Sequence, residues 1–280
     1  MPSILSVLSE ELSARASQIN VDRVVEHISY DKSLTAQCLR MANSALFHQR
    51  ADVVTVKEAV FTLGLWRIRD LAFSCNLPLM FVNVCKSIRR EVFWRHAFGA
   101  AVISQKLEQE FAAPRHNQAY LCGLLHDIGI LINGVLFPED FRAVLEEAIR
   151  EKAPISDMED RFLGFTHAES GRILAETWRL PIEVSEVIEF HHRPADQPIS
   201  NDLTLIVSVA DGICLERGLD YGYVIDAQQR LSLEELWLSL SERFPKAAAC
   251  SVEEYTELIE RMVANATALA DQVFSPVPAL

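Results

Sequence analysis

Seven side chains in this sequence have the chemical types and the spacing to bind a metal ion. The strongest candidates are His126 and Asp127, which are neighbours inside the apolar run of residues 121–131, and this run is predicted to form one helix. An ionisable group buried there must be paired, hydrogen-bonded or bound to a metal, because burying it bare costs several kcal/mol. Neighbouring residues on a helix point about 100° apart. The pair could therefore hold one ion from two directions, or the carboxylate could bridge two ions.

Two further candidates lie on apolar stripes of predicted helices. His96 shares one face of a long helix, predicted from about residue 89 to 111, with residues 93, 97, 100, 103, 107 and 111, so it points inward. On its own, such a histidine could equally be a hydrogen-bonded core residue. Asp211 lies on another apolar stripe, where an unpaired carboxylate would be costly. Both residues could face the same centre as the dipeptide.

Three more histidines lie at helix ends. Thr166 and Glu169 have the spacing of a capping box, which makes His167 the first helical residue and directs its imidazole off the helix tip. His191 and His192 close a helix that is predicted to start at Pro181. A helix tip is a sound position for a metal ligand.

These candidates also have interpretations without a metal. His167 could be exposed at its helix tip. Asp127 could be solvated at a helix C-terminus, with Gly129 as the stop. His191 and His192 could complement the helix dipole at the end of their helix.

The joint pattern favours a metal over these alternatives. Five of the eight histidines and two apolar-face aspartates lie at helix positions able to face a common centre. Imidazole and carboxylate ligands together suit Fe, Mn, Zn, Ni or Mg. We therefore expect one or two divalent ions as cofactors.

The elements that position these side chains are predicted to be helices, so the fold is expected to be all-α. Apolar residues recur at spacings of three and four, and Gly and Pro are sparse, at 10 and 11. We predict a two-lobed helical bundle without a significant sheet: an N-terminal lobe over 1–86, a metal-binding lobe over 87–218 and a C-terminal helical extension over 219–280 that packs on the domain. Residues 77–86 are predicted to join the first two lobes. Further helices are predicted over 21–28, 34–46, 56–63, 65–73, 202–217, 231–244 and 252–273.

The composition restricts the possible partners. The chain has 280 residues, of which 50% are hydrophobic and 23% charged, enough for a sizeable core. Its net charge of -13 and its pI near 5.1 disfavour nucleic acid and anionic membrane surfaces as partners. The six cysteines have no C-x-x-C spacing, and neither a signal peptide nor a spanning segment is apparent. We therefore expect a cytoplasmic protein.

The order His96, then His126-Asp127, then Asp211 resembles the metal-binding signature of the HD superfamily of phosphohydrolases. Residues 124–129, Leu-Leu-His-Asp-Ile-Gly, are its most specific segment. Segments 30–35, 39–45 and 59–64 also resemble the HDOD family, the HD-related output domain of bacterial signalling proteins. The resemblance covers roughly residues 3–215. It implies an all-helical fold and a role in signal transduction.

The resemblance to HD-type dinuclear sites implies two metal positions. One ion would take His96, His126, Asp127 and Asp211, and Asp127 would bridge to a second ion held by His167, His191 and His192. Asp127 would thus be the catalytic residue, because it holds the ions that activate water. Arg193 and Arg95, and also Arg172, are candidates to bind a substrate phosphate.

Two departures from the relatives bear on catalysis. In many catalytic relatives a lysine follows the segment that ends at Gly129 and helps to neutralise a substrate phosphate, whereas this chain has Ile130. The stretch after His192 lacks the Gly-Tyr-Pro motif of the HD-GYP cyclic di-GMP phosphodiesterases, and Tyr-Gly-Tyr at 221–223 does not replace it. Hydrolysis of cyclic di-GMP by the HD-GYP pattern is therefore not expected, and Ile130 argues for weak or absent activity.

Two function hypotheses follow. The first is a metal-dependent phosphohydrolase that acts on a phosphoester or nucleotide. The second is a catalytically silent regulatory module, in which a metal is structural or absent and the N-terminal bundle binds a signalling protein partner. A third interpretation treats the histidines as remnants of an empty site. Two ions per chain would favour the hydrolase, and none would favour the module.

Overall fold

The computed structural model describes residues 5, 20–30, 32–43, 52–82, 86, 88–112, 118–198, 201–220 and 231–274. Within these ranges the chain forms helices and no strand, which confirms the predicted all-α class. The elements follow the periodicity of the apolar residues, since each helix buries the face on which those residues recur. The predicted helix 34–46 ends earlier, at Ala42. The Tyr-Gly-Tyr segment at 221–223, residues 44–46 and Cys85 lie outside the described residues.

The first lobe contains four helices: α1 (Val21–Tyr30), α2 (Lys32–Ala42), α3 (Val56–Leu63) and α4 (Leu65–Met80). Thr55 and Glu58 form a capping box that starts α3. Gly64, with a φ of 80°, separates α3 from α4, because this backbone conformation is easy only for glycine.

Helix α4 is longer than the predicted helix 65–73 and extends into the predicted joining segment 77–86. Helix α4 continues through Pro78 to Met80, so the first four of these residues are helical. Leu77 and Pro78 are both buried, and this packing offsets the backbone hydrogen bond that a proline cannot make.

The second lobe contains the helices around the candidate metal ligands. They are α5 (Arg90–Phe111), α6 (Ala119–Leu125), α7 (Ile128–Leu136), α8 (Pro138–Glu151), α9 (Ile155–Leu163), α10 (His167–Thr177), α11 (Ile182–Phe190) and α12 (Asp202–Glu216). Helices α8 and α9 correspond to no motif singled out in the sequence.

The C-terminal extension contains α13 (Leu233–Arg243), α14 (Pro245–Ala248) and α15 (Val252–Phe274). These helices form a second apolar core with α5 and α12, in which Leu240, Tyr255 and Ile259 are fully buried. Arg217 at the end of α12 pairs with Glu260 of α15 at 2.8 Å. The extension thus covers the two helices that carry His96 and Asp211.

The main apolar core runs through the first and second lobes without interruption. Phe73 of α4, Trp94 of α5 and Tyr120 of α6 are among its largest buried side chains. The hydroxyl groups of Ser74 and Tyr120 lie 2.9 Å apart across the two lobes. The boundaries at 86/87 and 218/219 stay a prediction.

One described stretch, Ala119–Leu136, is long and apolar enough to cross a membrane, but 83% of it is buried inside the protein. The core helix of a soluble protein passes the same test. The described cysteines are free thiols, and Cys38, Cys75, Cys122 and Cys214 are buried.

Candidate metal centre

His126 and Asp127 lie at a break between two helices and not inside one. Helix α6 ends at Leu125, and α7 begins at Ile128, with Asp127 at φ -106° and ψ 13° in the turn between them. The expectation of one continuous helix is therefore wrong, and so is the alternative of a solvated carboxylate followed by a stop at Gly129. Asp127 is 1% exposed, and Gly129 lies within α7.

Four residues around this break form the first candidate metal position, which we call site A: His96, His126, Asp127 and Asp211. The Nε2 atom of His126 lies 2.8 Å from Oδ2 of Asp127, and that of His96 lies 3.2 Å from Oδ1 of Asp211. The ligand atoms of site A all lie within 4.8 Å of one another, and all four residues are buried.

The second candidate position, site B, consists of Asp127, His167, His191 and His192. The Nε2 atoms of His167 and His191 each lie 3.2 Å from Oδ1 of Asp127. The Nε2 atoms of His167 and His192 lie 2.9 Å apart. The side chain of His192 is 41% exposed, so site B has an open edge. Asp127 thus turns Oδ2 toward site A and Oδ1 toward site B.

Main-chain carbonyls orient three of the imidazoles. The Nδ1 atoms of His96, His126 and His191 lie 2.7 to 2.8 Å from the carbonyl oxygens of Leu219, Gly123 and Ile188. A carbonyl oxygen only accepts, so each Nδ1 must donate its proton. Each Nε2 then directs a lone pair into the centre, as a metal-binding histidine must.

These residues fit a divalent ion. The Nε2 atoms of His96 and His126 lie 3.2 Å apart, yet two lone pairs cannot hydrogen-bond to each other. Oδ2 of Asp127 and Oδ1 of Asp211 are buried beside these Nε2 atoms, whose lone pairs have no proton to donate to them. Two lone pairs and two carboxylate oxygens around one point require a positive charge, and a divalent cation supplies it.

The electrostatics of the centre without metal support the same conclusion. Burial opposes the charged form of His126, but the carboxylates of Asp127 and Asp211 outweigh burial and raise its pKa to about 10. Burial likewise opposes the charge on His167, but Glu159 and Asp127 raise the pKa of that imidazole well above its usual value. Protons on these two histidines would therefore occupy the place of the metal charge.

Two polar residues that the sequence reasoning missed belong to the surroundings of site B. Glu159 of α9 is fully buried and accepts hydrogen bonds from His167. Asn133 of α7 donates to Glu159 at 2.8 Å. A signal for Glu159 existed, since it lies four residues from both Ile155 and Leu163 on the inner face of an amphipathic helix.

Two glycines let the ligand-bearing helices approach each other. A Cβ atom on Gly123 would lie 2.6 Å from the carbonyl oxygen of Ala100, where α6 crosses α5. A Cβ atom on Gly129 would lie 1.9 Å from the carbonyl oxygen of His167, where α7 meets α10. The first contact brings His96 and His126 together, and the second brings Asp127 and His167 together.

The candidate phosphate-binding arginines have other partners in the structure. Arg95 pairs with Asp271 of α15 at 2.6 Å, and Arg172 pairs with Glu176 at 2.6 Å. The guanidinium group of Arg193 lies 5.8 Å from the ring centre of Phe190.

Ile130, at the position where the resemblance places a lysine, is 1% exposed in the main core. Within the described part of the chain, the ion pairs of Asp127 and Asp211 are all with histidines.

Comparisons with known proteins agree with this architecture. The model of the HDOD domain family matches residues 1–194. An uncharacterised protein of Treponema pallidum is 26% identical over 204 residues, which are 71% of this chain but only 39% of that protein. The matched family segment ends before Asp211, so one ligand of site A and the C-terminal helices lie beyond it.

Among solved structures, an HDOD domain protein of unknown function from Geobacter sulfurreducens has a TM-score of 0.82 at 23% identity. The similarity covers 99% of this chain and 93% of that one. A candidate phosphohydrolase of Shewanella amazonensis has a TM-score of 0.76 at 24% identity, over 98% and 94% of the two chains. At these identities the similarity shows the fold.

Proposed function

This chain belongs to the HDOD domain family, and from that premise we propose that it is a metal-dependent phosphohydrolase of bacterial signal transduction that acts on a phosphoester or nucleotide. The observation that supports the proposal most directly is the sharing of Asp127, whose two oxygens face different ligand sets. Paired ions that share a ligand are typical of enzymes that cleave phosphoesters.

The residues of the chain have separable roles in this proposal. A divalent ion, when bound, supplies Lewis acidity, which lowers the pKa of water and holds a phosphoryl oxygen. Asp127 fixes the distance between the two positions. Burial of site A excludes water and strengthens the electrostatic interactions there. His192 lies at the open edge of site B, where a substrate phosphate can approach.

We propose Arg193 as the arginine that would hold such a phosphate. It follows His192 directly in the sequence, and its planar guanidinium group matches phosphate geometry. Arg95 is a weaker candidate, because it already pairs with Asp271. We expect Arg193→Ala to raise KM more than it lowers kcat, since it would remove binding that the substrate and the transition state share.

The test is hydrolysis of a panel of phosphoesters, nucleotides and cyclic dinucleotides by protein loaded separately with Mn, Fe, Ni, Zn and Mg. We expect turnover of at least one substrate, and loss of that turnover in Asp127→Ala. Asp160→Ala, on the exposed face of α9, is the control for a carboxylate outside the centre. Absence of turnover with every metal would contradict the proposal.

A second candidate function has its own supporting observation. Ile130 is buried in the core, so the position of the lysine that helps catalytic relatives to neutralise phosphate carries no positive charge here. A silent regulatory module would keep the metal as a structural element and bind a signalling protein in the cytoplasm through its N-terminal lobe. Specific hydrolysis that disappears in a folded Asp127→Ala variant with intact partner binding would exclude this alternative.

A further inference from the structure

Glu159 is a fully buried carboxylate whose side chain hydrogen-bonds to His167 of site B and to Asn133 of α7. Its Oε2 atom accepts from the main-chain nitrogen of His167 at 2.7 Å and from Nδ1 of the same residue at 2.6 Å. Its Oε1 atom accepts from the side-chain nitrogen of Asn133 at 2.8 Å. Both oxygens are therefore engaged, and the carboxylate is fixed in one orientation.

This arrangement differs from that of the other oriented histidines in the centre. His96, His126 and His191 donate through Nδ1 to neutral main-chain carbonyls, whereas His167 donates to a carboxylate. A charged acceptor makes a shorter and stronger bond than a neutral one. It also raises the basicity of the opposite ring nitrogen, which strengthens that nitrogen as a metal ligand.

Glu159 also links α7, which begins directly after Asp127, to α10, which begins at His167. Asn133 lies on α7, the helix that follows Asp127 directly, and His167 is the first residue of α10. The bonds of Glu159 therefore fix the start of α10 relative to α7. The close contact between Gly129 and the carbonyl group of His167 lies along the same helix pair.

We propose that Glu159, held in place by Asn133, is the positioning residue of site B. It fixes the His167 ring with Nε2 toward Asp127 and sets the affinity of site B, but not of site A, for a divalent ion. This inference rests on the metal centre of the proposed function and does not require that the centre hydrolyse anything.

The test is a Mn²⁺ titration of metal-free protein that is purified without a histidine tag. The wild-type chain should bind two ions. Glu159→Gln keeps the shape of the side chain but removes its charge, so it should retain one tight ion and bind the second roughly 10–100-fold more weakly. Electron paramagnetic resonance should show coupled ions in the wild type and one isolated ion in the variant at low metal.

Glu108→Gln is the matched control. Glu108 is also buried, at 5% exposure, but lies on α5 away from the candidate ligands. The same substitution there should leave two bound ions and the coupled spectrum. Asn133→Ala removes the hydrogen bond that holds the carboxylate but keeps the carboxylate itself, so it should lower the affinity for the second ion several-fold. This variant replaces Glu159→Gln in the test if Glu159→Gln does not fold.

Several outcomes would overturn the inference. The first is that the wild-type chain binds fewer than two ions. The second is that folded Glu159→Gln binds both ions as tightly as the wild type does. The third is that the folded variants bind both ions more weakly to the same degree. If the wild type binds two ions and Glu159→Gln loses one, but no substrate is hydrolysed, the proposed hydrolysis fails and the role of Glu159 stands.

Discussion

Site A and site B share Asp127, yet they are enclosed in different ways. Site A takes ligands from α5, the turn after α6, and α12, and none of them is exposed. Site B takes two of its ligands from the turn after α11, and one of these, His192, is 41% exposed. Main-chain carbonyls orient the histidines of site A, whereas the carboxylate of Glu159 orients His167 of site B.

This difference separates two tasks within one centre. An ion at a closed position surrounded by core residues would contribute to folding, because binding and folding are coupled where ligands come from distant helices. In the proposed function, the open position would let solvent and a phosphate reach a second ion. We therefore expect site A to exchange its ion slowly and site B to exchange its ion rapidly.

The largest effect is expected from removing the residue that the two sites share. Asp127→Ala should abolish tight binding at both positions, since each loses a carboxylate oxygen. A metal at 100 times its dissociation constant stabilises a protein by about 2.7 kcal/mol, and this gain should vanish in the variant. Metal analysis and thermal unfolding with and without chelator measure it. A variant that still binds one ion tightly would show that Asp127 serves only one site.

The next largest effects are expected from the two glycines at the helix contacts, because each substitution should impair metal binding at a different site. Gly129→Ala places a methyl group against the main chain of His167 and should empty site B first. Gly123→Ala places one against Ala100 and should empty site A first. Each should cost about 1–3 kcal/mol of stability, because overpacking displaces the backbone. Metal stoichiometry and unfolding by denaturant test the pair, and identical patterns in both variants would contradict the separation.

A pH dependence should follow from His126. Its pKa of about 10 without metal means that an ion at site A must displace a proton. Apparent affinity should therefore rise with pH up to about 10 and fall by up to about tenfold for each unit of acidification. Titration calorimetry in buffers of different ionisation enthalpy measures the number of protons released. Metal binding without proton release would contradict the prediction that an ion at site A displaces the proton of His126.

In the metal-free protein, the raised pKa of His126 should make the stability of the fold fall as the pH rises. Because folding raises the pKa of His126, its pairing with Asp127 and Asp211 stabilises the fold fully below about pH 6.5 and is lost as the pH rises through about 10. Unfolding of chelator-treated protein across this range should show stability that declines toward alkaline pH. Bound metal should reverse this slope.

The smallest effect is expected at the exposed edge of site B. His192→Ala removes one candidate ligand that solvent can replace, so the affinity of site B should fall by less than in Asp127→Ala, while site A is unchanged. Direct titration with Mn²⁺ measures it. His27→Ala, in the first lobe on α1, is the matched control. A loss as large as that in Asp127→Ala would show that site B is not open in the way described.

Much of the local structure around the centre could be predicted from the sequence. His167 is the first residue of its helix, and the main-chain nitrogen of Thr166 donates to Glu169 at 2.8 Å as a capping box requires. His96 is fully buried on the predicted inward stripe. These features depend on residues a few positions apart, so periodicity and capping rules can predict them.

Other features could not be predicted in this way. The break after Leu125 interrupts an apolar run in which no proline marks a helix end. The apolar pattern therefore predicts one helix across the break. The partnership of Glu159 with His167 depends on how α9 packs beside α7 and α10. The carbonyl group of Leu219, which orients His96, comes from a residue 123 positions away.

By itself, the sequence determined the kinds of ligand, the helical class and the local position of each histidine, because these follow from side-chain chemistry and from neighbours along the chain. Only the tertiary structure decided that Oδ1 and Oδ2 of Asp127 face different ligand sets, that site B is open at His192, and that Ile130 lies in the core. Those outcomes depend on contacts between helices far apart in sequence, such as those at Gly123 and Gly129. No local pattern specifies such contacts, since they arise from packing the whole chain at once.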